Sequence, residues 1–101
     1  MIETMMAPRA PPARRWKQVA GVVQAELGAG QTALLHLSTG RYHALNGVGS
    51  RIWALLGQPC TLDELCATLC DEYEVDARRC ADEAQRYLSV LQALQLIEPL
   101  T

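Results

Sequence analysis

Six side chains are of types that bind metals or attack substrates: Cys60, Cys66, Cys70, Cys80, His36 and His43. The cysteine spacing is C-x5-C-x3-C-x9-C, without a C-x2-C pair, so the zinc-ribbon and dithiol-redox patterns fail. Cys66 and Cys70 stand one helical turn apart and could chelate with Cys60 or Cys80. Local packing accounts for two of the four thiols, however. Cys60 and Leu65 flank Thr61, and Val75 and Cys80 flank Asp76, at the two positions of a hydrophobic staple around a helix start. Free cysteine packs as a small hydrophobe, so the thiols read as core. No metal and no cofactor is expected. A thiolate nucleophile needs a neighbouring base. Both histidines fall in strand-like sequence away from the thiols and read as ordinary sheet residues. No catalytic set assembles, and the chain is not expected to be an enzyme.

Composition narrows the classes further. The 101 residues are half hydrophobic and one-fifth charged, with a formal net charge of −2. One domain is the limit at this length. There is no Phe, so the core rests on Leu, Val, Ile and Ala. Mild acidity disfavours a dedicated nucleic-acid binder. No apolar run reaches the roughly 18 residues of a membrane span. The start of the sequence lacks the charged and apolar regions of a signal peptide. The expected location is cytoplasmic, with reduced thiols.

The elements that position these residues follow from periodicity. Residues 1–17 carry Arg9, Arg14, Arg15 and Lys17 against Glu3, together with Pro8, Pro11 and Pro12. They read as a flexible basic arm, a solvated tail, ahead of a domain over 18–101. In residues 19–27 the set Val19, Val23, Ala25, Leu27 alternates with a set holding Gln24 and Glu26. In residues 31–37 the set Ala33, Leu35, Leu37 alternates with Thr32, Leu34, His36. Both are period-2 patterns of half-buried strands. Gly30 and Gly40 close three-residue connections where a left-handed residue is needed. A meander results, whose third strand is Arg41–Leu45.

From Asn46 the period becomes helical. Asn46 is a candidate N-cap for a helix to about Leu56, with Val48, Ile52, Leu55 and Leu56 on its apolar side and Trp53 beside them. Thr61 and Glu64 form a capping box before a second helix with Leu62, Leu65, Cys66, Leu69 and Tyr73 inward. Asp76 caps a third, whose stripe is Cys80, Ala84, Tyr87, Leu88, Leu91 and Leu94. Leu96 and Ile97 pack back, and Pro99 is a stop. The predicted fold is α+β, a three-stranded antiparallel sheet followed by a three-helix bundle (β-β-β-α-α-α).

A meander leaves its first and third strands at the edges. An edge strand presents unpaired N–H and C=O groups, and a short one such as Arg41–Leu45 is also how proteins avoid unwanted pairing. The functional alternative is addition of a peptide strand along that edge, with pockets from an adjacent helix choosing the side chains.

The stretch Leu35–Asn46, with Thr39-Gly-Arg-Tyr-x-x-Leu-Asn46, the following Gly-x-Gly-x-x-Ile-Trp53-x-Leu-Leu56, and Glu83-Ala-x-x-Tyr-Leu-x-x-Leu-x-x-x-x-Leu-Ile97 together resemble the PqqD-like family over roughly residues 19–98. These are recognition domains of ribosomally made, modified peptides. The resemblance implies a winged-helix-like domain that binds a precursor's leader segment between the third strand and the third helix and presents it to an enzyme. Within the group the sequence is most similar to stand-alone proteins of lasso-peptide clusters, whose partners are a cysteine-protease-like leader peptidase and a cyclase. It lacks the Pro-Glu-Arg-like segment of members that act as chaperones for a radical enzyme (radical SAM), which remain the alternative. Gln95 replaces the Gly often found before the final Leu-Ile, which suggests a slightly longer third helix.

By position, the resemblance implies a leader site of Arg41, Tyr42, His43, Ala44 and Leu45 on the strand and Arg86, Tyr87, Val90 and Leu91 on the helix. Tyr87 and Leu91 read equally well as core. Leu45 as a core residue sends His43 and Arg41 towards the helices, whereas an edge bulge would reverse this, and both remain open. Asp82, Glu83 and Arg86 would set charge preference or simply face water. A winged-helix DNA-binding regulator is the other alternative, although one Arg beside two acids contacts phosphates poorly.

Overall fold

The computed structural model describes residues 14–100. Six strands and three helices follow in order: β1 (Arg15–Gln18), β2 (Val22–Gly28), β3 (Gln31–His36), β4 (Arg41–Asn46), α1 (Gly47–Leu55), β5 (Cys60–Thr61), α2 (Leu62–Glu72), α3 (Ala77–Ala93) and β6 (Ile97–Leu100). They build two three-stranded antiparallel sheets, β2-β3-β4 and β5-β1-β6. The first is the expected meander. Gly30 and Gly40 take φ of +72° and +71°, the left-handed conformation that their turns require.

The second sheet corrects the simple β-β-β-α-α-α order. β1 pairs with β6 from Arg15↔Leu100 to Gln18↔Ile97, and with β5 at Arg15↔Thr61 and Trp16↔Cys60. It draws Arg15, Trp16 and Lys17 out of the arm that the sequence assigns to 1–17, because Trp16 is buried in the core. Residues 1–13 of that arm lie outside the described residues. Pro99 is a member of β6 rather than a stop. It is tolerated there because β6 is an edge strand and needs no N–H on its free side.

The helix starts differ in how they are capped. Thr61 Oγ1 accepts the Glu64 amide at 3.1 Å, and Glu64 Oε1 accepts the Thr61 amide at 2.8 Å, which is the capping box. Asn46 and Asp76 occupy N-cap positions, yet neither side chain makes a capping hydrogen bond. At the far end of α3 the helix stops at Ala93 instead of running on. Gln95 takes φ +63°, its amide donates to the Gln92 carbonyl, and the Leu96 amide reaches the Leu91 carbonyl at 3.0 Å. This is the Schellman stop that Gly normally serves, here adopted by Gln.

Trp53, Leu34, Ile52, Leu56, Leu65, Leu88, Leu91, Leu96 and Ile97 are fully buried and form the centre of the core. Val48 and Tyr73, expected inward, are 46% and 40% exposed. The largest correction concerns the meander. Its inner side is Thr32, Leu34 and His36 with their partners Gln24, Val22 and Leu45, and the apolar sets around Val23 and Leu35 face outward. Polar inner residues are matched by α1 and by the turn that ends α3. Trp53 Nε1 donates to Gln24 Oε1 at 2.8 Å, Thr32 bonds the Ser50 hydroxyl, and His36 Nε2 donates to the Gln95 carbonyl at 2.9 Å.

Candidate functional site

β4 is hydrogen-bonded to β3 alone, in register from Gln31↔Asn46 to His36↔Arg41. Its other edge has no strand partner among the described residues. Arg41, His43 and Leu45 share the inner side with His36, Leu34 and Thr32, while Tyr42 and Ala44 point outward. The strand runs straight into α1, which packs beside it; α3 lies across a gap. That gap is bordered by cavities in opposite order along the two elements. At the Asn46 end lies a largely apolar cavity of about 400 Å³, reaching Val48, Ile52, Glu83 and Tyr87. Midway along α3 a cavity of about 260 Å³ is lined by Glu83, Arg86, Tyr87 and Val90. At the Arg41 end another of about 470 Å³ touches Thr39, Leu94 and Gln95. β4 and α3 therefore run antiparallel along one groove. Six strand residues span about 20 Å, enough for one added strand of similar length.

The residues singled out in the sequence divide within this groove. Arg41 is exposed at one end; His43 is half-buried on the inner side, and its Nε2 has no hydrogen-bond partner among the described residues. Tyr42, 65% exposed, and Ala44 stand on the outer side, so only their backbone belongs to the edge. Leu45 is buried in the core. On α3, Arg86 and Val90 are exposed and Tyr87 is half-buried, all three on one cavity. Leu91 is fully buried and stands behind the wall rather than on it. The Tyr87 ring occupies the space above Gly49, so closely that a Cβ there would overlap its phenol. Burial raises the Tyr87 pKa.

Asn46, Val48 and Ile52 are not among the expected site residues, although they line the apolar cavity at the Asn46 end of the groove. The signal available was Val48 on an otherwise inward stripe, read as core. Charge around the groove is mixed. Glu83 is tied to Arg79 at 2.9 Å, whereas Arg41 and Arg86 have no ion pair among the described residues.

The thiols lie elsewhere. All four are free. Cys80 is part of the hydrophobic core, and Cys60, Cys66 and Cys70 pack against that core. Burial raises the pKa of each of the four thiols, the opposite of what an activated nucleophile needs. Among the described residues no group of His, Cys, Asp and Glu is arranged to hold a metal ion. None of the described helices is long and apolar enough to cross a membrane.

A family model described as coenzyme PQQ synthesis protein D (PqqD) matches residues 31–97, which include β4, the groove and α3. No curated protein matches the chain. Among solved structures, TbiB1 in complex with the TbiA(beta) leader peptide is 35% identical, with a TM-score of 0.77 over 84% of this chain and 98% of that one.

Proposed function

The chain belongs to the PqqD family, and from that premise we propose that it binds the leader segment of a ribosomally made precursor peptide as a strand added to β4. The observation that carries this reading is the free β4 edge facing α3 across a cavity-bordered groove. Backbone groups of Arg41–Leu45 supply the ladder. His43, Arg86, Tyr87 and Val90 choose among side chains, and Leu45 and Leu91 hold the groove from behind. The relative captured with a leader peptide supports the same ligand class here. The meander stands beside the helices as a wing does in winged-helix domains.

In this reading the domain carries no chemistry of its own. It acts in the cytoplasm and presents the leader to a cysteine-protease-like peptidase and a cyclase of lasso-peptide assembly. The PQQ-synthesis description of the matching family supports a second recipient, a radical enzyme. Which enzyme binds the leader-loaded domain separates the two. DNA binding has little support, since α3 exposes Asp82, Gln85, Ser89 and Gln92 to solvent.

The test is a titration of the domain with the labelled N-terminal half of the precursor encoded beside it. Saturable binding is expected between about 1 nM and 1 μM, roughly −12 to −8 kcal/mol. Pro at position 43 or 44 removes a backbone donor. Whichever of these amides joins the ladder, its loss should weaken binding about tenfold or more. Absence of binding to wild-type protein overturns the reading.

A further inference from the structure

The two sheets have four free edges among the described residues, and three of them are accounted for. β5 is two residues long, β6 carries Pro99, and β4 borders the leader groove. β2 is the fourth and the longest, with seven residues, of which only Val22 is even half-buried. It holds no Pro, Lys or Arg, the residues that commonly guard an exposed edge. Its one charge is Glu26, and its one irregularity, between Glu26 and Gly28, lies at the turn end of the strand.

The backbone groups on this edge follow from the ladder. The Leu37 amide donates to the Gly21 carbonyl at 2.9 Å, and the β2–β3 register continues from that pair through Val22↔His36 to Glu26↔Thr32. Hydrogen-bonded and non-hydrogen-bonded pairs alternate along an antiparallel ladder. Val23 and Ala25 therefore turn their N–H and C=O groups towards β3, while Val22, Gln24 and Glu26 turn theirs to the open edge. This edge complements itself. Two copies of β2 placed antiparallel about Ala25 set Gln24 opposite Glu26, so the open backbone groups meet as hydrogen-bonded pairs. On the outer side Val23, 52% exposed, meets Leu27, 55% exposed. On the inner side Trp53 takes the Gln24 Oε1, and the Gln24 Nε2 has no partner among the described residues. That nitrogen can donate to the opposing Glu26 carboxylate, and the two Glu26 charges do not face each other.

We propose that a second copy of this chain pairs with β2 in this register. The product is one six-stranded antiparallel sheet, β4-β3-β2-β2-β3-β4, with both β4 edges left open at its ends. Dimerisation therefore needs no leader and does not compete with one. A contact of a single strand pair lies at the small end of specific interfaces, so a dissociation constant of about 10–100 μM is expected.

The experiment is sedimentation equilibrium of the full chain in reducing buffer, from about 1 μM to 1 mM. Wild-type protein should pass reversibly from monomer to dimer. Glu26→Pro removes a donor from the open edge and none from the β2–β3 ladder, and should weaken the dimer about tenfold or more. Ala25 lies opposite its own copy, at about 4.5 Å between Cα atoms. Ala25→Lys and Ala25→Glu should each weaken self-association about tenfold or more through like charge, and their equimolar mixture should recover a dimer. Unfolding midpoints measured at 1 μM check that each variant is folded. A wild type that stays monomeric to 1 mM overturns the proposal. So does a dimer that survives Glu26→Pro and is lost in Ala44→Pro, because it would pair through β4. Loss of self-association in both Ala25 variants without recovery in the mixture also overturns it, because the register would be wrong.

Discussion

The two faces of the meander are made from the same 19 residues of β2, β3 and β4, yet they invert the usual rule. The inner face holds Gln24, Thr32, His36 and His43 around Leu34 and Leu45; Gln24 and Thr32 meet partners on α1, and His36 meets the Gln95 carbonyl in the turn after α3. The outer face is apolar, with Val23 and Tyr42 exposed, Leu35 half-buried and Ala33 buried between them. Burial is decided by what lies opposite. A Thr facing the Ser50 hydroxyl loses little on leaving water, because its hydrogen bond is replaced. A Val or Tyr can remain exposed if the surface it forms is later covered.

Substitutions can break this contrast. Leu34→Ala, at the centre of the inner face, should cost about 2–5 kcal/mol of stability in denaturant unfolding. Val23→Ala, on the outer face, should cost under about 0.5 kcal/mol. Equal costs would mean that the outer face is packed in solution. Gly49→Ala should be next in size, about 1–3 kcal/mol, because the new methyl displaces the Tyr87 ring. It should also weaken leader binding, whereas Val23→Ala should not. A stabilising substitution sharpens the picture of the inner face. His36 is anchored by the backbone carbonyl of Gln95, so Gln95→Gly keeps the anchor and relieves the left-handed strain. It should stabilise the protein by up to about 1 kcal/mol. A loss of stability would show that the Gln95 side chain matters.

Much of the fold is legible from local chemistry. The Thr61–Glu64 capping box, the Gly30 and Gly40 turns and the α3 stripe of Cys80, Ala84, Leu88 and Leu91 all depend on neighbours within a few residues. The edge position of β4 follows from the meander order. Other features are less visible. β1 is four residues long, and its partners β5 and β6 lie more than 40 residues away, so no local pattern announces it. Gln95 replaces the Gly that would have marked the end of α3. The helix stops there because Leu96 and Ile97 are buried and β6 pairs with β1.

The sequence by itself determined the three helices, the meander, its free edge strand and the family resemblance, because periodicity, caps and turns are set by residues close along the chain. Tertiary structure alone decided which side of the meander is inside, that Leu91 backs the groove while Val48 lines it, and that Trp16 belongs to the core. Alternation offers two faces of a strand but does not choose between them. The choice was made by Trp53, Ser50 and the Gln95 carbonyl, groups 18 to 59 residues away that supply hydrogen bonds to Gln24, Thr32 and His36.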